Sequence, residues 1–152
     1  ENTNNPDTFT AIWEALKRIS SEVPVVFPIH PRTRNLFPWV SGEAPASLHI
    51  IEPVSYLEMI AMIRDARCMV TDSGGVQKEA FLLKTPCVTV RDTTEWPETV
   101  QAGANRLVST EPPALFEAVE SMMSLVFPDV ENPFGDGRAS HHIAAFLLDK
   151  GF

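Results

Sequence analysis

Residues 70–98 read V-T-D-S-G-G-V-Q-K-E-A-F-L-L-K-T-P-C-V-T-V-R-D-T-T-E-W-P-E, and the fold is decided there. The pattern predicts an apolar strand over Cys68–Val70 that ends in Thr71-Asp72, then a tight glycine turn. A helix is expected from Val76 to Lys84, followed by a second apolar strand, Cys87–Val90, running into a polar loop. A strand that hands over to a helix through glycines aims free backbone N–H groups, and the positive end of the helix, at whatever lies above the turn. Phosphate suits that place better than other common ligands.

Outward from this segment, helical and strand-like periods alternate. Asn5-Pro6 predicts an N-cap with proline in the first helical position, and Phe9, Ile12, Trp13, Leu16 and Ile19 recur at helical spacing. Val25–Ile29 is a β-branched run broken at His30-Pro31. A short irregular helix is expected over Arg32–Val40, a strand over Leu48–Ile51, and a helix from Pro53 with Leu57, Ile60, Ala61 and Ile63 inside. Further on come a short helix at Pro97–Ala102, a strand at Arg106–Val108, a helix at Pro113–Val126 and a last helix at Ser140–Asp149. Apolar strands separated by helices imply a parallel sheet covered on both faces. The expected class is α/β, a Rossmann-like doubly wound parallel sheet, formed by residues 1–152 as a single domain.

The composition narrows the chemistry. The chain has 152 residues and a net charge of -8, with no basic face to neutralise a nucleic-acid backbone. Cys68 and Cys87 each fall within an apolar run and read as reduced core residues of a cytoplasmic protein. No apolar run is long enough to span a bilayer, and the start has neither a signal-peptide layout nor an initiator methionine; it reads as the interior of a longer protein. His141-His142 are expected to face solvent, since neighbours on a helix point apart and make a poor shared metal site.

Ligands of doubly wound sheets bind beyond the carboxyl ends of the strands. Four chemically loaded segments are expected on that edge: His30, Glu52-Pro53-Val54, Asp72-Ser73-Gly74-Gly75 and Arg91-Asp92-Thr93-Thr94-Glu95. Ser73, Gly74 and Gly75 are candidates for holding a phosphate, and Glu79, about one and a half turns into the helix, for accepting bonds from ribose hydroxyls. Asp-Ser-Gly-Gly also fits a plain strand-to-helix turn with a capping serine. It surrounds the nucleophile of trypsin-like proteases too, but those are disulfide-rich antiparallel barrels. The glycine required two residues before an α/β-hydrolase nucleophile is absent. A regulatory receiver-type domain would need an acidic cluster at the end of a first strand, and none is visible.

The runs Thr71 to Ala80, Pro86-Cys87-Val88 and Arg91 to Glu98 resemble the non-hydrolysing UDP-N-acetylglucosamine 2-epimerases. So do Pro28 to Arg34, Ile51 to Leu57, Glu98 to Gly103 and Gly135 to Ala139. The resemblance implies the second of two Rossmann-like domains facing each other across a cleft, the arrangement called GT-B. It implies an isomerase that eliminates UDP, holds a glycal and adds UDP back after C2 is reprotonated on the other face. The second domain would grip UDP, while acids and bases of the first domain handle protons, so no catalytic residue is expected in this chain. By position, Ser73, Gly74 and Gly75 would hold the phosphates, Glu79 the ribose, Val54 and Met59 the uracil, with His30 near the diphosphate. Arg91 and Glu95 join from their place on the rim. No metal or organic cofactor is implied; the partners are a UDP-sugar, the missing first domain and a second copy in a homodimer.

Three departures stand out. Trp96 occupies a position where these epimerases often carry arginine, which puts an ionic contact to the nucleotide in question. The branch acting on UDP-2,3-diacetamido-2,3-dideoxyglucuronic acid also has Trp there, and that substrate is the alternative, with a GT-B glycosyltransferase domain as another. Met59 stands where phenylalanine is common. The His-Arg-x-Glu-Asn signature would begin just before Glu1-Asn2, so the domain's first strand is expected to be missing from the middle of the sheet. Unpaired backbone groups should result, and a truncated chain is expected to be inactive and to bind UDP weakly.

Overall fold

The computed structural model describes residue 2 and residues 4–151. Helix α1 (Pro6–Ser20) starts as its sequence demands: Asn5 Oδ1 accepts the Asp7 and Thr8 N–H groups, and Pro6 fills the first turn. Then follow β1 (Val25–Pro28), α2 (Pro31–Leu36), α3 (Val40–Glu43), β2 (Leu48–Ile51) and α4 (Tyr56–Asp65). The second half contains β3 (Met69–Thr71), α5 (Gly74–Leu82), β4 (Cys87–Val90), α6 (Pro97–Gln101), β5 (Asn105–Val108), α7 (Pro112–Met123) and α8 (Ala139–Asp149). The expected α/β class with parallel strands is what the chain adopts.

The strands form two parallel sheets, β1-β2 and β3-β4-β5. Met69, Cys87 and Asn105 lie in register, as do Val70, Val88 and Arg106. Among the described residues β1 and β3 do not pair, so the sheet is divided where the strand order reverses. Alternation along β4 sorts its side chains between two helical layers. Val88 and Val90 pack with Ala15, Leu16 and Ile19 of α1 and with Leu115, Ala118 and Val119 of α7. Cys87 points the other way, toward Ile63 of α4 and Ala80 of α5. Helix α1 also packs Phe9 and Trp13 against Ile29, Phe37 and Leu48, so one helix joins the cores of both sheets.

Several expectations need correction. Helix α4 begins after Ser55, not at Pro53, because Ser55 and Glu58 form a reciprocal capping box. Helix α5 begins at Gly74, two residues before Val76, so both glycines lie in its first turn and neither has a positive φ. Leu57, expected inside, is exposed, as are Leu82 and Val126. Helix α8 buries none of its residues, although Ile143, Phe146, Leu147 and Leu148 are apolar.

Candidate functional site

The site is built around the head of α5. Ser73 holds the N-cap position with extended backbone, yet its Oγ caps nothing. Thr71 Oγ1 accepts the Ser73 N–H at 3.0 Å and fixes the turn from below. No described side chain caps the first turn of α5. The reading of Ser73 as a capping serine is therefore not realised; its hydroxyl and the first-turn amides are disposed to receive an anion.

The loop after β4 closes over this helix mouth. Arg91 and Glu95 form a bidentate ion pair, Nη1 to Oε2 at 2.8 Å and Nη2 to Oε1 at 2.9 Å. The Arg91 guanidinium is the main reason the Glu95 carboxyl is held below the usual carboxylate range. Glu95 Oε2 lies 3.0 Å from where a Cβ on Gly74 would stand, so a side chain there would displace the carboxylate. The Trp96 indole Nε1–H donates to the Gly74 carbonyl at 2.9 Å. Lys78 Nζ lies 4.5 Å from the Trp96 ring centre and 4.7 Å from that of Phe134, which sets a positive charge against both rings.

The remaining expected residues are more dispersed. His30 ends β1 and caps α2; its Nδ1 accepts the Arg32 N–H at 3.2 Å, which leaves Nε2 to carry the proton of the neutral ring. Val54 sits half-buried in the loop between β2 and α4. Met59 packs on the Ile63, Ala80 and Cys87 cluster, and Glu79 is half-buried on α5. Arg32, exposed at the start of α2, donates to Asn4 Oδ1 at 2.6 Å, and Arg34 pairs with Glu52. A cavity of about 490 Å³ opens beyond β3, β4 and β5, lined by Asp72, Arg91, Asp92, Thr93, Ser109 and Thr110 among others. Of the residues expected to contact UDP, Arg91 alone lines it, beside Asp72, Asp92 and Thr93 from the same expected loops.

Beneath the loop lies a polar cluster that the sequence reading passed over. Gln77, Thr89, Thr99 and Asn105 are buried and joined by hydrogen bonds to one another and to Thr94. Register could have signalled part of it, since Cys87 and Thr89 alternate onto the face that carries Asn105. Cys68 and Cys87 are free thiols; burial pushes them up to about 12 and about 11 respectively, which makes them unreactive core groups. No group of three or more metal-ligating side chains occurs among the described residues. No described helix is long and apolar enough to cross a membrane.

Comparison with known proteins agrees with this geometry. The family described as UDP-N-acetylglucosamine 2-epimerase matches residues 1–148. The chain is 43% identical over 148 residues to a UDP-2,3-diacetamido-2,3-dideoxy-D-glucuronate 2-epimerase of Pseudomonas aeruginosa, covering 97% of this chain and 41% of that protein. It is 41% identical over 155 residues to a UDP-N-acetylglucosamine 2-epimerase of Methanocaldococcus jannaschii, covering 97% of this chain and 42% of that protein. The crystal structure of the Methanocaldococcus jannaschii enzyme with UDP-GlcNAc and UDP superposes with a TM-score of 0.87 at 38% identity, over 97% of this chain and 42% of that one. The chain thus spans about two fifths of the length of these relatives. With its parallel strands, the uncapped head of α5 and a family match along nearly its whole length, the chain belongs to the UDP-N-acetylglucosamine 2-epimerase family.

Proposed function

We propose that this chain is the UDP-gripping domain of a nucleotide-sugar 2-epimerase that interconverts UDP-N-acetylglucosamine and its C2 epimer. The observation that carries the reading is the uncapped head of α5, with Ser73, Gly74 and Gly75 at its mouth. UDP is the leaving group of the elimination and the nucleophile of the return step. Amides and a helix end aimed at its phosphates stabilise the charge that develops as the C1–O bond breaks. Ser73, Gly74 and Gly75 hold the diphosphate, Glu79 accepts from the ribose, Val54 and Met59 flank the uracil, and His30 and Arg91 approach from the rim. The proton chemistry at C2 belongs to groups outside this chain, and a closed cleft keeps the glycal from escaping.

A second reading takes the substrate to be UDP-2,3-diacetamido-2,3-dideoxyglucuronate. It is favoured by Trp96 and by the 43% identity to the Pseudomonas aeruginosa enzyme. Incubating the complete polypeptide with each UDP-sugar in deuterated buffer distinguishes the two. Label should appear at C2 of the true substrate, and absence of label from both would exclude a 2-epimerase. Glu79→Ala in the same polypeptide should weaken UDP binding by about 1–3 kcal/mol in calorimetry, the range for a hydrogen bond to a charged group.

A further inference from the structure

The loop that covers the head of α5 is fixed by a closed ring of hydrogen bonds. Thr94 Oγ1 donates to Gln77 Oε1 at 2.6 Å and accepts the Trp96 backbone N–H at 3.0 Å. The Trp96 indole returns to α5 through the Gly74 carbonyl at 2.9 Å. The first turn of α5, from Gly74 to Gln77, closes the ring. The same Gln77 oxygen also accepts from Asn105 Nδ2 at 3.2 Å. Asn105 is oriented in turn by Thr89, which donates to its Oδ1 at 2.8 Å, and by Thr99, which accepts from its Nδ2 at 3.1 Å.

Packing alone does not account for this arrangement. Gln77 is fully buried, and its Nε2 has no hydrogen-bond partner, which costs stability that an apolar side chain of similar volume would not lose. Its carbonyl end is instead aimed by β4, β5 and α6 through Asn105, so one oxygen relays the position of the sheet to the loop. Glu95 lies between the two anchored residues, Thr94 and Trp96, and is thereby held over Gly74.

We propose that Gln77, Thr94 and Asn105 are positioning residues that lock the 91–96 loop onto the first turn of α5 and so set the shape of the anion-receiving mouth. This rests on the reading of that mouth as the diphosphate site. None of the three needs to touch ligand; they act through Trp96 and Gly74.

The test uses the complete polypeptide carrying Thr94→Val, with Thr94→Ser as the conservative variant. Two quantities are read: UDP affinity by calorimetry, and the exchange rate of the Trp96 indole N–H by NMR. Thr94→Val should weaken UDP at least about tenfold and speed indole exchange, while Thr94→Ser restores both to within about twofold. Indole exchange in Thr94→Val equal to the unsubstituted protein overturns the lock. Faster exchange with unaltered UDP affinity overturns its role at the mouth. If Thr94→Val does not fold, Trp96→Phe opens the ring at its other end and should show the same loss of affinity; unchanged affinity there also overturns the proposal. An unsubstituted protein that fails to bind UDP removes the diphosphate reading, and with it the proposed role, while the indole exchange rates still decide the lock itself.

Discussion

The two glycines at the head of α5 look alike in sequence and differ in their surroundings. A Cβ on Gly75 would meet nothing closer than Ser73 Oγ at 3.9 Å, whereas one on Gly74 would meet Glu95 Oε2 at 3.0 Å and Trp96 Nε1 at 3.7 Å. Neither residue has a positive φ, so alanine fits the helical backbone at both. Gly75→Ala should therefore raise the unfolding free energy by up to about 1 kcal/mol through lower unfolded-state entropy. Gly74→Ala should gain less, because Glu95 must swing away and loosen its pair with Arg91, an exposed pair of small net worth. Urea unfolding of both variants checks this, and equal gains would contradict a carboxylate held over Gly74. If Gly75 admits phosphate by close approach, its stabilised variant should bind UDP less well. The sequence announced these glycines but not their backbone: they were expected to make a turn, and they instead begin a helix, with space short at Gly74 and open at Gly75. Gln77 and Asn105 were not legible because their partners lie up to 28 residues away, and nothing local marks a polar residue as buried.

At the scale of elements, boundaries followed whichever local chemistry was strongest. Asn5 was readable as a cap because a proline and an apolar helical period follow it directly. Pro53 drew the start of α4 too early, for Ser55 and Glu58 satisfy each other's backbone groups and outweigh the proline. Ser55 Oγ accepts the Glu58 N–H at 3.4 Å, and Glu58 Oε2 accepts the Ser55 N–H at 2.7 Å. Ser55→Ala should cost about 1 kcal/mol at neutral pH, measured by denaturant unfolding. The hydrogen bonds from Ser55 hold the Glu58 carboxyl below its ordinary value. Its stabilising contribution is thus present above the unfolded pKa and is lost as pH falls through the folded one. The stability gap between the unsubstituted chain and Glu58→Gln should accordingly narrow in acid; a gap that widens would contradict the box. The strands were easier to read than the helix faces. All four residues of β4 are buried, so any alignment of an apolar run finds it. Leu57 keeps the helical period yet is exposed, and Val126 lies past the end of α7 at Met123.

The molecule as a whole has two parallel sheets where its pattern of elements would build one. In a parallel pair, alternate residues direct their backbone groups to opposite edges. Val25 and Ile29 donate toward β2, so Val26 directs its N–H to the other edge of β1, and Pro28 has none to direct. Met69 donates toward β4, so Val70 directs its N–H to the far edge of β3. Those two edges border the place where strand order reverses, and no described strand occupies it. Helix α1 holds the two sheets together through its contacts with both cores, which lets the arrangement persist without the intervening ladder. The apolar residues of α8 are likewise exposed. Hydrogen exchange should separate the edges from the interior. In the chain by itself Val26 and Val70 should exchange rapidly while Val88, within the central strand of its sheet, is protected. In the complete polypeptide, a strand parallel to both edges should protect Val26 and Val70 as strongly as Val88. Protection that instead grows with the concentration of the isolated chain would identify a second copy as the source of that strand. Fast exchange under both conditions would mean that the division of the sheet is permanent, and the expectation of a missing strand would be wrong.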